Sequence, residues 1–294
     1  MILGHNRSVP QVIDGKVLAT RIESETAREA AALESMGASP VLATVQVGSH
    51  PAVDLYVRHQ ARAAERTGIA FRRTVLPEDT SERQLMRELD QLARNHEVSG
   101  VMLQTPLPSH INTRAVRRAL DAAKDVEGVH PTNLGWLLSD RPGMVPCTAA
   151  AALECILSTG VELRGKRAVV VGHSETVGKP IAILLMERLA TVTVCHHGTV
   201  DLAAEVRQAE ILVVAVGKAG LIQGSDLRPG SVVVDVGINE IEVDGKRRIV
   251  GDVAAAESSA AAFVTPVPGG VGPVTVALLM RNCVQATARQ MKSL

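Results

Sequence analysis

The sequence predicts an α/β protein of two domains, each built on a parallel sheet, and three observations lead there. Short β-branched runs alternate with amphipathic segments at intervals of ~20–30 residues, the rhythm of βαβ units rather than of a sandwich. The runs of the second half are mostly apolar through their length, as strands covered on both faces are. The chain has 294 residues, which at roughly 100–200 per domain is enough for two.

The first helix is expected from about Val17 to Met36, with Leu18, Ile22 and Leu33 near helical spacing and Gly37 beyond its end. A strand follows over Val41 to Val47. Gly48-Ser-His-Pro51 reads as loop and helix start, Pro51 suiting a first helical position, and that helix runs to about Arg66 before Gly68. Phe71 to Val75 is the next strand. Ser81-x-x-Gln84 is a capping box for a helix to Arg94, and Val98 to Gln104 is a strand stopped by Thr105-Pro-Leu-Pro108. The chain changes character around Arg141-Pro-Gly143, where a domain boundary is placed. An Ala-rich helix from Thr148 to about Ser158 then leads to an aliphatic strand, Ala168 to Val171. Further strands are expected near Thr191–Cys195, Ile211–Val216, Ser231–Val236 and Ala262–Val264, before a final helix from Val274 to about Gln290 that returns to the first domain.

Composition narrows the function. Lys+Arg number 31 against 31 Asp+Glu, there is no dense basic block, and the four aromatic residues (Tyr56, Phe71, Trp136, Phe263) cannot form a base-stacking platform. A small molecule, not a nucleic acid, is the expected partner. Cys147, Cys155, Cys195 and Cys283 show no CxxC spacing, which suits reduced thiols in a cytoplasmic protein. The first ten residues lack an apolar signal core, and the uncharged stretch Ser258 to Met280 is broken by Pro266, Pro268 and Pro273, so no membrane helix is expected.

Gly172-His-Ser174-Glu-Thr-Val-Gly178-Lys-Pro180 follows a buried strand and opens a helix, where backbone N–H groups bind a pyrophosphate. Ser174 stands where the usual fingerprint has its second glycine. A P-loop does not fit: five residues separate Gly172 from Gly178, and Pro180 brings no hydroxyl for a metal ion. The carboxylate that normally holds the ribose ~20 residues on is replaced by Cys195-His196-His197-Gly198, and a single metal ion is not expected to collect residues that alternate across a strand. What remains is a histidine beside the adenosine ribose. Tyr56 and Gln60, four apart on a helix, share a face; from spacing alone, one packs and the other is a surface residue. Gln104 closes a strand at the end where open sheets bind ligands. Thr265-Pro-Val-Pro-Gly-Gly-Val-Gly-Pro-Val-Thr275 is a stiff loop whose glycines permit close approach of a ligand.

Taken in order, these segments become specific. Val47-Gly-Ser-His-Pro-Ala-x-x-x-Tyr56, Gly100-Val-Met-Leu-Gln104-Thr-Pro-Leu-Pro108, Lys124-Asp-Val-Glu-Gly-Val-His-Pro131, Val145-Pro-Cys-Thr148, Gly172-His-Ser-x-x-Val-Gly-Lys-Pro180, Asp235-Val-Gly-Ile-Asn239, Gly251-Asp-Val253 and Pro266 to Thr275 follow the pattern of a known family. From about Ile13 to Cys283 the chain resembles the bifunctional methylenetetrahydrofolate dehydrogenase/cyclohydrolase family. The resemblance implies a folate domain over 1–145 completed by the helix of 274–294, a Rossmann-like NAD(P) domain over 146–273, a folate cleft between them, and a homodimer. It places Tyr56, Gln60 and Gln104 at the catalytic positions. It places Tyr56, Leu103, Gln104, Thr105, Glu127, Pro268, Gly269, Gly270, Gly272 and Thr275 against a tetrahydrofolate substrate. Gly172, His173, Ser174, His197 and Ile238 match the positions that hold NADP, with NAD as a second acceptor.

Two departures fall in the active site. The family pattern Tyr-x-x-x-Lys has Gln60 at its lysine, and Asp-Val-Asp-Gly is Asp125-Val-Glu127-Gly, a glutamate for the pterin-binding aspartate. Arg58 and Arg62 lie about 200° around the helix from position 60 and His59 about 100°, so none takes the place of the lysine. Hydride transfer needs no protein base, whereas hydrolysis of the methenyl product calls for a titratable group. The expectation is a dehydrogenase with weak or absent cyclohydrolase activity. A noncatalytic folate or dinucleotide binder, and an enzyme of a related pterin, stay open as alternatives.

Overall fold

In a computed structural model of the chain, residues 9–139, 143–254 and 260–292 are described. They fall into two units: residues up to Leu18 with Thr148–Thr275, and Ala19–Cys147 with Val276 onward.

The second of these is organised by β2 (Val41–Val47), buried at every position and flanked in parallel by β3 (Ala70–Leu76) and β4 (Gly100–Leu103) in the order β3-β2-β4. Alternation along the pleat divides its core in two. Val41, Ala43, Val45 and Val47 join Val101 and Leu103 beneath Leu85 and Leu89 of α3 (Glu82–Arg94) and Val116 of α4 (Thr113–Ala119). On the opposite side, Leu42 and Met102 pack with Ala30 and Leu33 of α1 (Gly15–Ser35), Ala63 and Ala64 of α2 (Pro51–Thr67), and Leu279, Met280 and Cys283 of α9 (Val271–Met291). Local signals behave as the sequence suggests. Ser81 and Gln84 form the capping box of α3, Pro51 opens α2, and Gly68 (φ 69°) closes it in the left-handed conformation. The amide of Asn282 donates to Val126 O at 2.8 Å, fastening α9 to this unit, which also holds α5 (Pro131–Leu138).

The other unit is a six-stranded parallel sheet, ordered β1-β11-β8-β7-β5-β6. Its strands are β5 (Arg167–Val171), β6 (Thr191–Cys195), β7 (Ile211–Val214), β8 (Val232–Asp235), β11 (Phe263–Val264) and β1 (Gln11–Val12). Its helices are α6 (Cys147–Leu157), α7 (Gly178–Glu187) and α8 (Leu202–Val206). The chain runs from β5 outward to β6 and then back across to β7, so the strand order reverses at β5, the place where open α/β sheets bind ligands.

Three expectations need correction. The sequence assigns 1–145 to the first domain, but the described residues up to Leu18 belong with the parallel six-stranded sheet, because β1 pairs with β11. The final helix starts at Val271, not Val274; Pro273 sits in its first turn, where a missing N–H costs no helical bond. The loop read over Thr265–Thr275 is therefore half helix. An antiparallel hairpin, β9 (Asn239–Val243) and β10 (Lys246–Val250), was not foreseen, although its turn is Asp244-Gly245 with both φ positive. Of the boundary read at Arg141-Pro-Gly143, residues 140–142 lie outside the described residues, as do residues 1–8 of the N-terminal segment and Ser258 and Ser259 of the uncharged stretch. Among the described residues no helix is long and apolar enough to cross a membrane.

Candidate functional site

The pleat that builds the core of the β3-β2-β4 sheet also builds its polar cluster. Residues 42, 44 and 46 of β2 share a face, and so do Met102 and Gln104 at the end of β4. The Gln104 amide donates to Thr44 Oγ1 at 2.6 Å and to Gln60 Oε1 at 2.9 Å, while Gln60 Nε2 lies 3.3 Å from Met102 Sδ. Tyr56, one turn before Gln60 on α2, lies on the same face and packs against the core that holds Met102. Gln60 is 0% exposed and Gln104 2%, so the pair forms a neutral, buried cluster of amides. Arg58, His59 and Arg62 are exposed on other faces of α2. The lysines of this unit are Lys124, whose ammonium is held by the carbonyls of Leu92 and Asn95, and Lys292, exposed past the end of α9. Neither takes the place of the residue missing at position 60.

Asp125 is fully buried and organises the following turn, accepting from Gly128 N (3.1 Å), His130 N (2.7 Å) and the Asn133 amide (2.8 Å). Gly128 there has φ 77° and no room for a Cβ, which would lie 2.5 Å from the carbonyl carbon of Val145. Glu127 follows in this ordered turn. Burial first, and then the Asp125 charge, push its carboxyl up to about 7, with Arg117 pulling the other way. Its charge is felt at Tyr56, whose phenol is raised well above its ordinary range, chiefly by burial. Cys147 is raised in the same way, by burial and then by Glu127 and Asp125. Tyr56, Gln60, Gln104 and Glu127 are thus brought into one neighbourhood. Leu103 is different: its side chain packs in the core on the opposite side of the sheet. Thr105 is exposed just after Gln104.

At the carboxyl end of β5, Gly172 has φ 118°, and a Cβ there would lie 2.3 Å from Ala215 O, so the turn is pressed onto the segment following β7. A Cβ at Gly178 would lie 2.1 Å from Gly172 O. Ser174 Oγ accepts from Val177 N and Gly178 N, which leaves its exposed O–H to donate. His173, His196 and His197 gather beside it, with ring centroids 5.2–5.9 Å apart. This donor set suits an anion such as a phosphate better than the two hydroxyls of a bare ribose. Ile238 is 68% exposed after β8. In the same unit, Gly270 is buried against the N-terminus of α1, Gly269 has φ 109°, and Pro268 and Gly272 are exposed. The Thr275 hydroxyl is engaged with Val271 O at 3.1 Å.

Sequence reasoning missed Thr44, Cys147 and His196. Thr44 had a signal: it is a polar residue in a strand otherwise nearly all apolar. For His196 there was none, since the resemblance picks out His197 alone; β6 ends at Cys195 and both histidines lie in the turn beyond it.

A glycine turn at the switch point of a parallel sheet, on the same chain as a buried amide pair beside a half-buried carboxyl, defines an NAD(P)-dependent oxidoreductase with a separate unit for its substrate. The comparisons name the family. The catalytic-domain model of tetrahydrofolate dehydrogenase/cyclohydrolase matches residues 13–127, and the NAD(P)-binding-domain model matches residues 146–291. The bifunctional protein FolD of Heliobacterium modesticaldum is 49% identical over 273 residues, covering 92% of this chain and 94% of its own. That of Moorella thermoacetica is 45% identical over 281 residues, covering 95% and 99%. Among solved structures, the Campylobacter jejuni FolD enzyme superposes with a TM-score of 0.91 at 38% identity, covering 95% of this chain and 99% of that one. The Trypanosoma brucei FolD, solved with NADP and an inhibitor, gives 0.93 at 37%, covering 97% and 99%. The chain belongs to the tetrahydrofolate dehydrogenase/cyclohydrolase family and is an NAD(P)-dependent dehydrogenase of folate one-carbon metabolism.

Proposed function

We propose that this enzyme oxidises 5,10-methylenetetrahydrofolate to 5,10-methenyltetrahydrofolate, preferring NADP and accepting NAD, and that it hydrolyses the methenyl product weakly or not at all. The observation that carries this reading is Gln60, a buried amide bonded to Gln104 at the position where the family pattern has lysine. Bound NADP supplies the hydride acceptor. Loss of hydride from the one-carbon bridge leaves a cation that the adjacent folate nitrogens stabilise, so the protein's contribution is alignment in a dry site. Tyr56 stacks near the pterin and aminobenzoyl region, Gln104 orients the folate, and Glu127 accepts hydrogen bonds from the pterin. Gly172, His173, Ser174, His197 and Ile238 hold the nucleotide, which the packing of Gly172 and the three clustered imidazoles supports.

Hydrolysis is a different demand. Water attacks the methenyl carbon and loses a proton, and a ring nitrogen gains one as the ring opens; an amide does neither transfer. Turnover of 5,10-methylenetetrahydrofolate with each nucleotide, beside hydrolysis of the methenyl compound against buffer, tests both halves. The expected result is dehydrogenation with hydrolysis close to the buffer rate; efficient hydrolysis by the unmodified enzyme overturns the second half. One observation favours a second reading. Glu127, with its carboxyl pushed up to about 7, titrates in the same neighbourhood. If it has taken over proton transfer, hydrolysis follows a pH profile centred near 7 and disappears in Glu127→Gln. A homodimer belongs to the same proposal, and sedimentation velocity tests it.

A further inference from the structure

The segments Asp235-Val-Gly-Ile-Asn239 and Gly251-Asp-Val253 take little part in the chemistry above, yet each contributes a buried carboxylate that backbone donors surround. Asp252, 0% exposed, accepts from Val216 N (2.7 Å), Gly217 N (3.0 Å), Lys218 N (2.8 Å) and the side-chain amide of Asn239 (2.9 Å). Asp235 accepts from Gly237 N (2.9 Å), Asp252 N (3.1 Å) and Val253 N (2.8 Å). The neighbouring glycines make room for these groups. A Cβ at Gly237 would lie 2.2 Å from the Asp252 carboxyl carbon, and one at Gly251 would lie 1.9 Å from Asp235 Oδ2.

What the carboxylates tie down is specific. Residues 216–218 follow β7, residues 237–239 follow β8, and Ala215 is the residue on which the Gly172 turn rests. These loops stand side by side at the carboxyl ends of β5, β7 and β8. They leave two apolar side chains exposed, Val216 and Ile238. Three successive N–H groups turned inward to one carboxylate fix the path of a loop that has no regular secondary structure to fix it.

We infer that Asp252, itself seated by Asp235, is a positioning residue for the nucleotide: it sets loops 216–218 and 237–239 so that Val216 and Ile238 present a preformed apolar edge to a planar ring of NAD(P). A carboxylate suits this because it only accepts; an asparagine would turn an NH2 group toward N–H donors. The inference rests on the nucleotide site described above and assigns a device within it.

The test is Asp252→Asn in the full-length enzyme, read by hydrogen exchange at the Val216–Lys218 amides, NADP affinity by calorimetry, folate affinity and thermal melting. The expected result is faster exchange at those amides and NADP bound about tenfold more weakly or worse, with folate affinity held, as one charge-assisted acceptor is lost. Faster exchange with unchanged NADP affinity overturns the inference and leaves the dehydrogenase reading standing. Failure of the unmodified enzyme to bind either nucleotide overturns the reading beneath it. Should Asp252→Asn not fold, Asn239→Ala removes only the side-chain donor; NADP binding weaker by about threefold supports the device, and unchanged binding overturns it.

Discussion

Gln60 concentrates what one residue decides. Its site is fully dehydrated, so an amine there loses charge stabilisation to burial and its pKa falls toward the working range of an acid–base catalyst. Gln60→Lys is therefore expected to raise methenyltetrahydrofolate hydrolysis by ~10²–10⁴-fold over the parent while dehydrogenation persists, as measured by the two assays side by side. Glu127 carries one methylene more than the family's aspartate, and on the proposed reading that places the pterin differently relative to position 60, so Gln60→Lys with Glu127→Asp should exceed the single change. Hydrolysis unmoved in both would show that position 60 is not where the proton transfer resides. For Tyr56→Ala the expected loss is at least about 1 kcal/mol of folate binding by calorimetry, from the missing aromatic contact; equal affinity would remove Tyr56 from the substrate site. At this scale the sequence was half legible. The shared face of Tyr56 and Gln60 follows from helical spacing, whereas the bond from Gln104 to Thr44 joins residues 60 apart and depends on strand register.

Among the elements, the β5 and β6 ends carry the clearest consequence. An imidazole N–H donates to a phosphate oxygen, which NADP carries on its ribose and NAD does not. His173→Ala or His197→Ala is therefore expected to lower the preference for NADP over NAD. His196 lies within the same cluster, so His196→Ala should lower it too. A preference ratio unchanged in all three variants in steady-state kinetics would contradict the assignment. β5, β7 and β8 were readable as aliphatic runs because both of their faces are covered, whereas β6, an edge strand, is mostly exposed. The β9–β10 hairpin was not read: its burial alternates over few residues, and its charges, Glu240, Glu242, Arg247 and Arg248, look like a solvated loop. The start of α9 was hidden by Pro273, which reads as a breaker until its place in a first turn is seen.

Across the whole molecule, the two units exchange segments: the chain's first described residues join the later sheet, and its last helix largely joins the earlier one. Composition shifts cannot reveal that exchange, because the boundaries fall inside α1 and α9, helices continuous in pattern. Stability integrates over both units, and carboxyls raised mainly by burial, Asp125, Glu127 and Asp235, give it a pH dependence. Glu127 is pushed up to about 7 and Asp235 to about 6, each mainly by burial, against ordinary values near ~4 in an unfolded chain. Between those limits the folded protein holds protons that the unfolded chain has released, so stability falls as pH rises through the window. Asp54 and Glu210 shift the opposite way, but hydrogen bonds at the surface cause it and solvent screens their effect. The contribution of the raised carboxyls is present at about pH 4, and that of Glu127 and Asp235 is withdrawn by pH 8, so the melting temperature is expected to be lower at pH 8 than at pH 5. Glu127→Gln keeps the shape and removes the buried charge; by calorimetry it should raise the melting temperature at pH 8 and leave it nearly unchanged at pH 5. An equal effect at both pH values would show that Glu127 is ionised, or neutral, throughout and does not govern the transition.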